Sequence, residues 1–68
     1  MTPEEALELG QEILDALEDL PDAAEDFASS VQEKVEGIMA WINENQHVTE
    51  NQSAALENMM AGVEKWQR

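Results

Sequence analysis

The chain has 68 residues, with 16 Asp and Glu against 3 Lys and Arg, a formal net charge of −13 and no cysteine. That size allows one domain, residues 1–68, whose core sits near the lower limit of self-sufficiency; the missing thiols exclude disulfides and thiolate metal sites. Charge of this density disfavours direct contact with nucleic acid or an anionic membrane, and it favours basic protein surfaces.

Hydrophobic residues make up 43 % of the chain, too many for a disordered acidic tail. Glycine and proline are few and β-branched residues do not cluster, so the expectation is all-α. The first predicted helix covers about residues 3–20. Thr2 and Glu5 have the spacing of a capping box, and Pro3 suits the first helical position. Ala6, Leu9, Ile13, Leu17 and Leu20 then recur every three or four residues, with Leu14 widening the apolar face. Gly10 interrupts this pattern at a cost of about 1 kcal/mol relative to Ala; it either permits close approach of another helix or is simply tolerated. Pro21 ends the element.

A second helix is expected over about residues 23–45, with Asp22 as N-cap and Glu25 completing a second box. Its apolar seam runs through Ala24, Phe27 or Ala28, Val31, Val35, Ile38 and Ile42, and Asn45 is the expected left-handed C-cap. Ser29 and Ser30 read as small residues at a helix crossing. Thr49 and Gln52 form the box that opens a third helix over about residues 50–67. Leu56, Met59 or Met60, Val63 and Trp66 form its inward face, and Lys65 and Arg68 complement the dipole in its last turn. The short connection between the second and third helices favours an antiparallel hairpin, and the three helices a small bundle.

The charges are segregated. Every charged residue through Glu33 is acidic, and Lys34, Lys65 and Arg68 supply the only positive charges. Glu4, Glu8, Glu12, Asp15, Asp19 and Asp22 follow one another at intervals of four, four, three, four and three. On a helix that spacing makes a row of carboxylates roughly 5–6 Å apart. Successive phosphates along a DNA strand have a comparable separation, of the order of 6–7 Å. Such a row fits a groove of Lys and Arg built to hold a nucleic-acid backbone, with Asp26, Glu33 and Glu36 extending the field onto the second helix. A solvated surface is the plainer role for the same residues. Against it, like charges at these intervals each cost a few tenths of a kcal/mol, and no Lys or Arg is interleaved.

Other motifs offer less. Glu44 and His47 have the Glu-x-x-His spacing of carboxylate-bridged di-iron bundles, but such sites need further inward Glu residues and the chain has one His. No nucleophile–base constellation, phosphate loop or calcium loop is present. No enzyme activity, cofactor or metal is therefore expected. Met39 and Trp41, at the margin of the second helix's seam, form an alternative apolar contact patch for a partner or a second copy; packing of Trp41 over the core edge against Trp66 is the simpler role.

From Phe27 to Trp66 the chain resembles small phage and mobile-element proteins, in Phe27, Ser30, Val31, Trp41-Ile42, His47-Val48-Thr49, Gln52, Ala55-Leu56, Asn58-Met59, Gly62-Val63 and Lys65-Trp66. In size, acidity and helical content it also resembles phage-encoded inhibitors of host defence of the anti-CRISPR type, several of which imitate DNA. That resemblance implies a cytoplasmic, non-catalytic blocker of a nucleic-acid-handling protein. The rival expectation is a small homodimer or regulatory module built on the patch around Trp41.

Overall fold

Two capping boxes set where the first and last helices begin. In the computed structural model, which describes residues 1–67, the Thr2 hydroxyl accepts from the Glu5 amide at 3.1 Å. The Glu5 carboxylate in turn accepts from the Thr2 amide at 2.9 Å. Thr49 and Gln52 repeat the exchange at 3.1 and 3.0 Å. Each box satisfies two backbone donors that a helix start would otherwise leave open. Helix α1 spans Pro3–Leu17, α2 Glu25–Asn45 and α3 Glu50–Trp66, with a 3-10 turn at Asp22–Ala24 before α2. The expected placement of Arg68 in the last turn of α3 lies outside the described residues.

The junctions depart from expectation for local reasons. Helix α1 stops at Leu17 rather than near residue 20. Pro21 has no N–H to give the Leu17 carbonyl, and its ring would crowd that group. The Leu20 amide takes the carbonyl instead, and the chain tightens into i→i−3 bonds at Glu18, Asp19 and Leu20. The Asp22–Glu25 box does not form. Ala24 donates to the Pro21 carbonyl and Glu25 to that of Asp22, so a 3-10 turn leads into α2 with no side-chain cap.

At the far end of α2 the left-handed residue is Gln46, at φ 52° and ψ 40°, one position beyond the expected Asn45. A left-handed conformation costs a non-glycine residue roughly 1–2 kcal/mol. Three hydrogen bonds offset it. The Gln46 amide reaches the Ile42 carbonyl, the Gln46 side chain the Asn43 carbonyl and the Asn45 side chain the Trp41 carbonyl, at 2.7, 2.6 and 2.8 Å.

The helices run up, down and up. Gly10 meets Met39 and Gly62 meets Phe27, which sets α2 antiparallel to both neighbours. Ala6, Ile13 and Leu17 of α1, Val31, Val35 and Ile42 of α2, and Leu56 and Val63 of α3 make one buried cluster. Each fully buried Ile, Leu or Val contributes roughly 1.5–3 kcal/mol. Ala24 is buried at the start of α2. Close approach of α1 depends on Gly10, where an added Cβ would lie 2.7 Å from the Met39 sulfur.

Several side chains sit elsewhere than expected. Trp66 is 40 % exposed rather than inward, and its ring tilts against Phe27 at 6.2 Å. Trp41 tilts against His47, at 6.3 Å, instead of covering the core edge against Trp66. Ser29 and Ser30 are exposed, although Ser29 borders the end of α1 beside Leu17 and Leu20.

Candidate functional site

The outward side of α1 is a carboxylate surface. Glu4, Glu8, Glu12 and Asp15 are all exposed. At 3.6 residues per turn they fall within about 80° of arc, over roughly 17 Å of helix. Ala6, Gly10, Ile13 and Leu17 lie on the opposite side of the same helix and are buried. The row is therefore ordered by the packing of the face behind it. One member has a fixed partner: the Gln11 side-chain amide donates to Asp15 at 3.0 Å, across one turn.

The other expected members do not share this register. Asp19 falls in the turn after α1 and Asp22 in the 3-10 turn, so both are exposed but neither belongs to the straight row. Glu33 lines a groove between α2 and α3, on another side of the bundle. Asp26, seven residues earlier on α2, shares its stripe. Glu36 lies four residues beyond Gln32, whose side chain borders α1 beside Gln11 and Asp15. Of the three expected on α2, only Glu36 flanks the α1 surface.

Sequence reading missed a second acidic stripe. Glu50, Glu57 and Glu64 recur every seven residues on α3 and are exposed. Ser53, within one turn of Glu50 and Glu57, touches the Met1 sulfur at 3.9 Å, which places this edge of α3 beside the start of α1. The heptad spacing was the available signal.

Glu5 differs from the row in role. The Thr2 backbone N–H, then the Thr2 hydroxyl and the terminal amine, hold its carboxyl below the usual value against slight desolvation. It is a structural cap, not a free contact group.

The apolar alternative splits in two. Met39 is half-buried and packs toward Gly10, under α1. Trp41 lies on the other side of α2 and is 40 % exposed. With Gly37, Ile38, Ala55 and Met59 it lines the groove between α2 and α3. Met39 therefore does not belong to a patch with Trp41. Among the described residues no group of three or more His, Cys, Asp or Glu is placed to hold a metal ion, and no helix is long and apolar enough to cross a membrane. His47 is exposed in the α2–α3 connection.

Comparison with protein-family models, with curated proteins and with solved structures finds no match to this chain.

Proposed function

We propose that this protein is a non-catalytic inhibitor whose α1 face docks into a cationic cleft and blocks a nucleic-acid-binding site on another protein. The single observation behind this reading is the ordered row of Glu4, Glu8, Glu12 and Asp15, exposed on one side of a helix whose other side is buried. A cleft lined by Lys and Arg holds its cations together at an energetic cost. A rigid anionic rod relieves that repulsion and releases bound ions, as a polynucleotide does. The α3 stripe and Glu36 widen the field, and Asp19 and Asp22 extend it past the helix end. No cofactor takes part, and the setting is the cytoplasm, that of the host cell for a phage-borne protein. The resemblance to host-defence inhibitors of the anti-CRISPR type supports the same reading.

The test is a low-salt pull-down from host lysate, with Glu12→Lys/Asp15→Lys as the control. The captured protein should bind nucleic acid, and duplex or single-stranded nucleic acid should compete with capture. The double variant should lose about 100-fold or more in affinity while keeping its helicity. Capture should also weaken steeply between about 50 and 300 mM salt. Equal affinity of the double variant for the captured protein would refute the proposal.

A further inference from the structure

Between α2 and α3 the described residues leave an apolar groove open. Helix α1 covers the seam between α2 and α3 from one side only, and no α1 residue lines the groove on the other. Its floor includes Gly37, where an added Cβ would meet nothing within 4 Å. Trp41, Ile38, Ala55 and Met59 make its walls. We propose that a second copy of this chain occupies the groove, forming a two-fold dimer in which α2 of each copy lies over α3 of the other.

Charge argues for this occupant. Lys34 lines the groove, and Lys65 shares the edge of Asn58, another lining residue, seven positions away. The α3 edge of the groove therefore carries Asn51, Asn58 and Lys65 and no acid, while the Glu50, Glu57 and Glu64 stripe lies toward α1. The α2 edge carries Asp26, Glu33 and Glu44. A two-fold axis across the helices would stack α2 on α2 and set Asp26 against Glu44. An axis along the helices stacks α2 on α3. Since Phe27 and Trp66 are neighbours, Asp26 and Lys65 sit at the same end of the bundle. The second arrangement therefore sets the Asp26 end of one copy against the Lys65 end of the other. The groove face is self-complementary and carries both Lys34 and Lys65.

The area is sufficient. The molecule measures 35 × 18 × 17 Å, so one long face covers roughly 600 Å². Two such faces bury about 1,200 Å², at the lower end of stable interfaces. Both α1 surfaces remain outward in this dimer. The inference stands on the groove and does not require that the acidic row bind anything.

Sedimentation equilibrium of the untagged chain, from about 1 to 500 μM, tests it. The expected result is a concentration-dependent species of twice the 7.6 kDa chain mass. Its population should rise between about 50 and 500 mM NaCl, because salt screens repulsion between two highly acidic copies while apolar burial persists. That is opposite in sign to the salt dependence of the acidic row. Gly37→Glu and Trp41→Glu should each weaken association at least 100-fold with helicity retained, and Lys65→Glu about tenfold. Glu12→Lys/Asp15→Lys should leave dimerisation intact, so failure of the α1 proposal and failure of this one are distinguishable. A wild-type chain that stays monomeric throughout overturns the inference, whether or not the groove takes a basic helix instead, as does unchanged dimerisation of the Gly37 and Trp41 variants. Unchanged association of Lys65→Glu overturns the α2-over-α3 pairing.

Discussion

Gly10 and Gly37 mark two sides of the same bundle that have been finished differently. At Gly10, α1 has come down onto α2 so closely that a methyl group would collide with Met39. At Gly37 the corresponding space is empty. The first side is filled from within the chain and turns a row of acids outward. The second keeps Trp41 40 % exposed and carries Lys34. A helix that needs to be held firmly and a surface that can receive a partner thus lie back to back. Burial makes the difference: the acids of α1 are ordered because the residues behind them are buried, and the groove is open because none of the described residues covers it.

The strongest way to break this contrast is to loosen α1. Ile13 is fully buried at the centre of its inward face. Ile13→Ala removes apolar contacts and leaves a cavity, at a cost of about 2–5 kcal/mol. A domain of this size has a total stability of roughly 3–10 kcal/mol. Thermal or urea unfolding should show most of the stability lost, and the ordered acidic row with it. A loss under about 1 kcal/mol would mean that α1 is not held by this core.

The two glycines give a sharper and smaller test. Gly37→Ala gains helix propensity in open space and should stabilise the monomer by up to about 1 kcal/mol. Gly10→Ala gains the same propensity but drives its Cβ into the Met39 side chain, 2.7 Å from the sulfur and 2.8 Å from Cγ. Overpacking of this kind costs roughly 1–3 kcal/mol, so the net effect should be destabilising. Combining Gly10→Ala with Met39→Ala should recover the part of that loss due to collision. Chemical denaturation of dilute protein, where association does not contribute, reads both signs. If the two alanines shift stability in the same direction, the two sides are not packed as differently as the geometry shows.

Much of this fold was legible in the chain, because helix starts and core spacing are local properties. Thr2 with Glu5 and Thr49 with Gln52 announced two helix starts, and Ala6, Ile13, Leu17, Val31, Val35, Ile42, Leu56 and Val63 are spaced as buried stripes must be. What failed was decided by competition for particular backbone groups or by three-dimensional placement. The Leu17 carbonyl, deprived of a donor by Pro21, closed α1 early and displaced Asp19 and Asp22 from the row. Asn45 spends its side chain on the Trp41 carbonyl, and Gln46 takes the left-handed position. The separation of Met39 from Trp41 follows from which side of α2 receives α1. Periodicity within one helix defines its faces but does not say which neighbour each face will meet. For the same reason the groove was only half visible in advance: Trp41 was expected in a contact patch, but with Met39 and not with Gly37, Ala55 and Met59.

The smallest effect concerns the cap that starts α1, where the hydrogen bonds of Glu5 make stability depend on pH. Glu5 receives the Thr2 amide, and its carboxyl is held below the ordinary value in the folded chain. A depressed folded value means that the ionised form is favoured by folding. The contribution is fully present above the unfolded carboxylate range, near pH 4–5, and is lost as pH falls through the lowered value. Glu5→Gln keeps a hydrogen-bond acceptor but removes this titration. Wild type and Glu5→Gln should therefore converge in stability as pH falls below about 4, and the wild type should be the more stable at neutral pH. The partner set of Glu5 is what creates this slope. Glu8 and Glu12 are exposed on the outer face. Glu8→Gln should accordingly raise neutral-pH stability slightly by relieving repulsion with Glu4 and Glu12, the opposite sign. Thermal melts of the two variants at neutral and acid pH would check both directions, and a Glu8→Gln chain that behaves like Glu5→Gln would show that the outer row is engaged in the fold rather than presented to a partner.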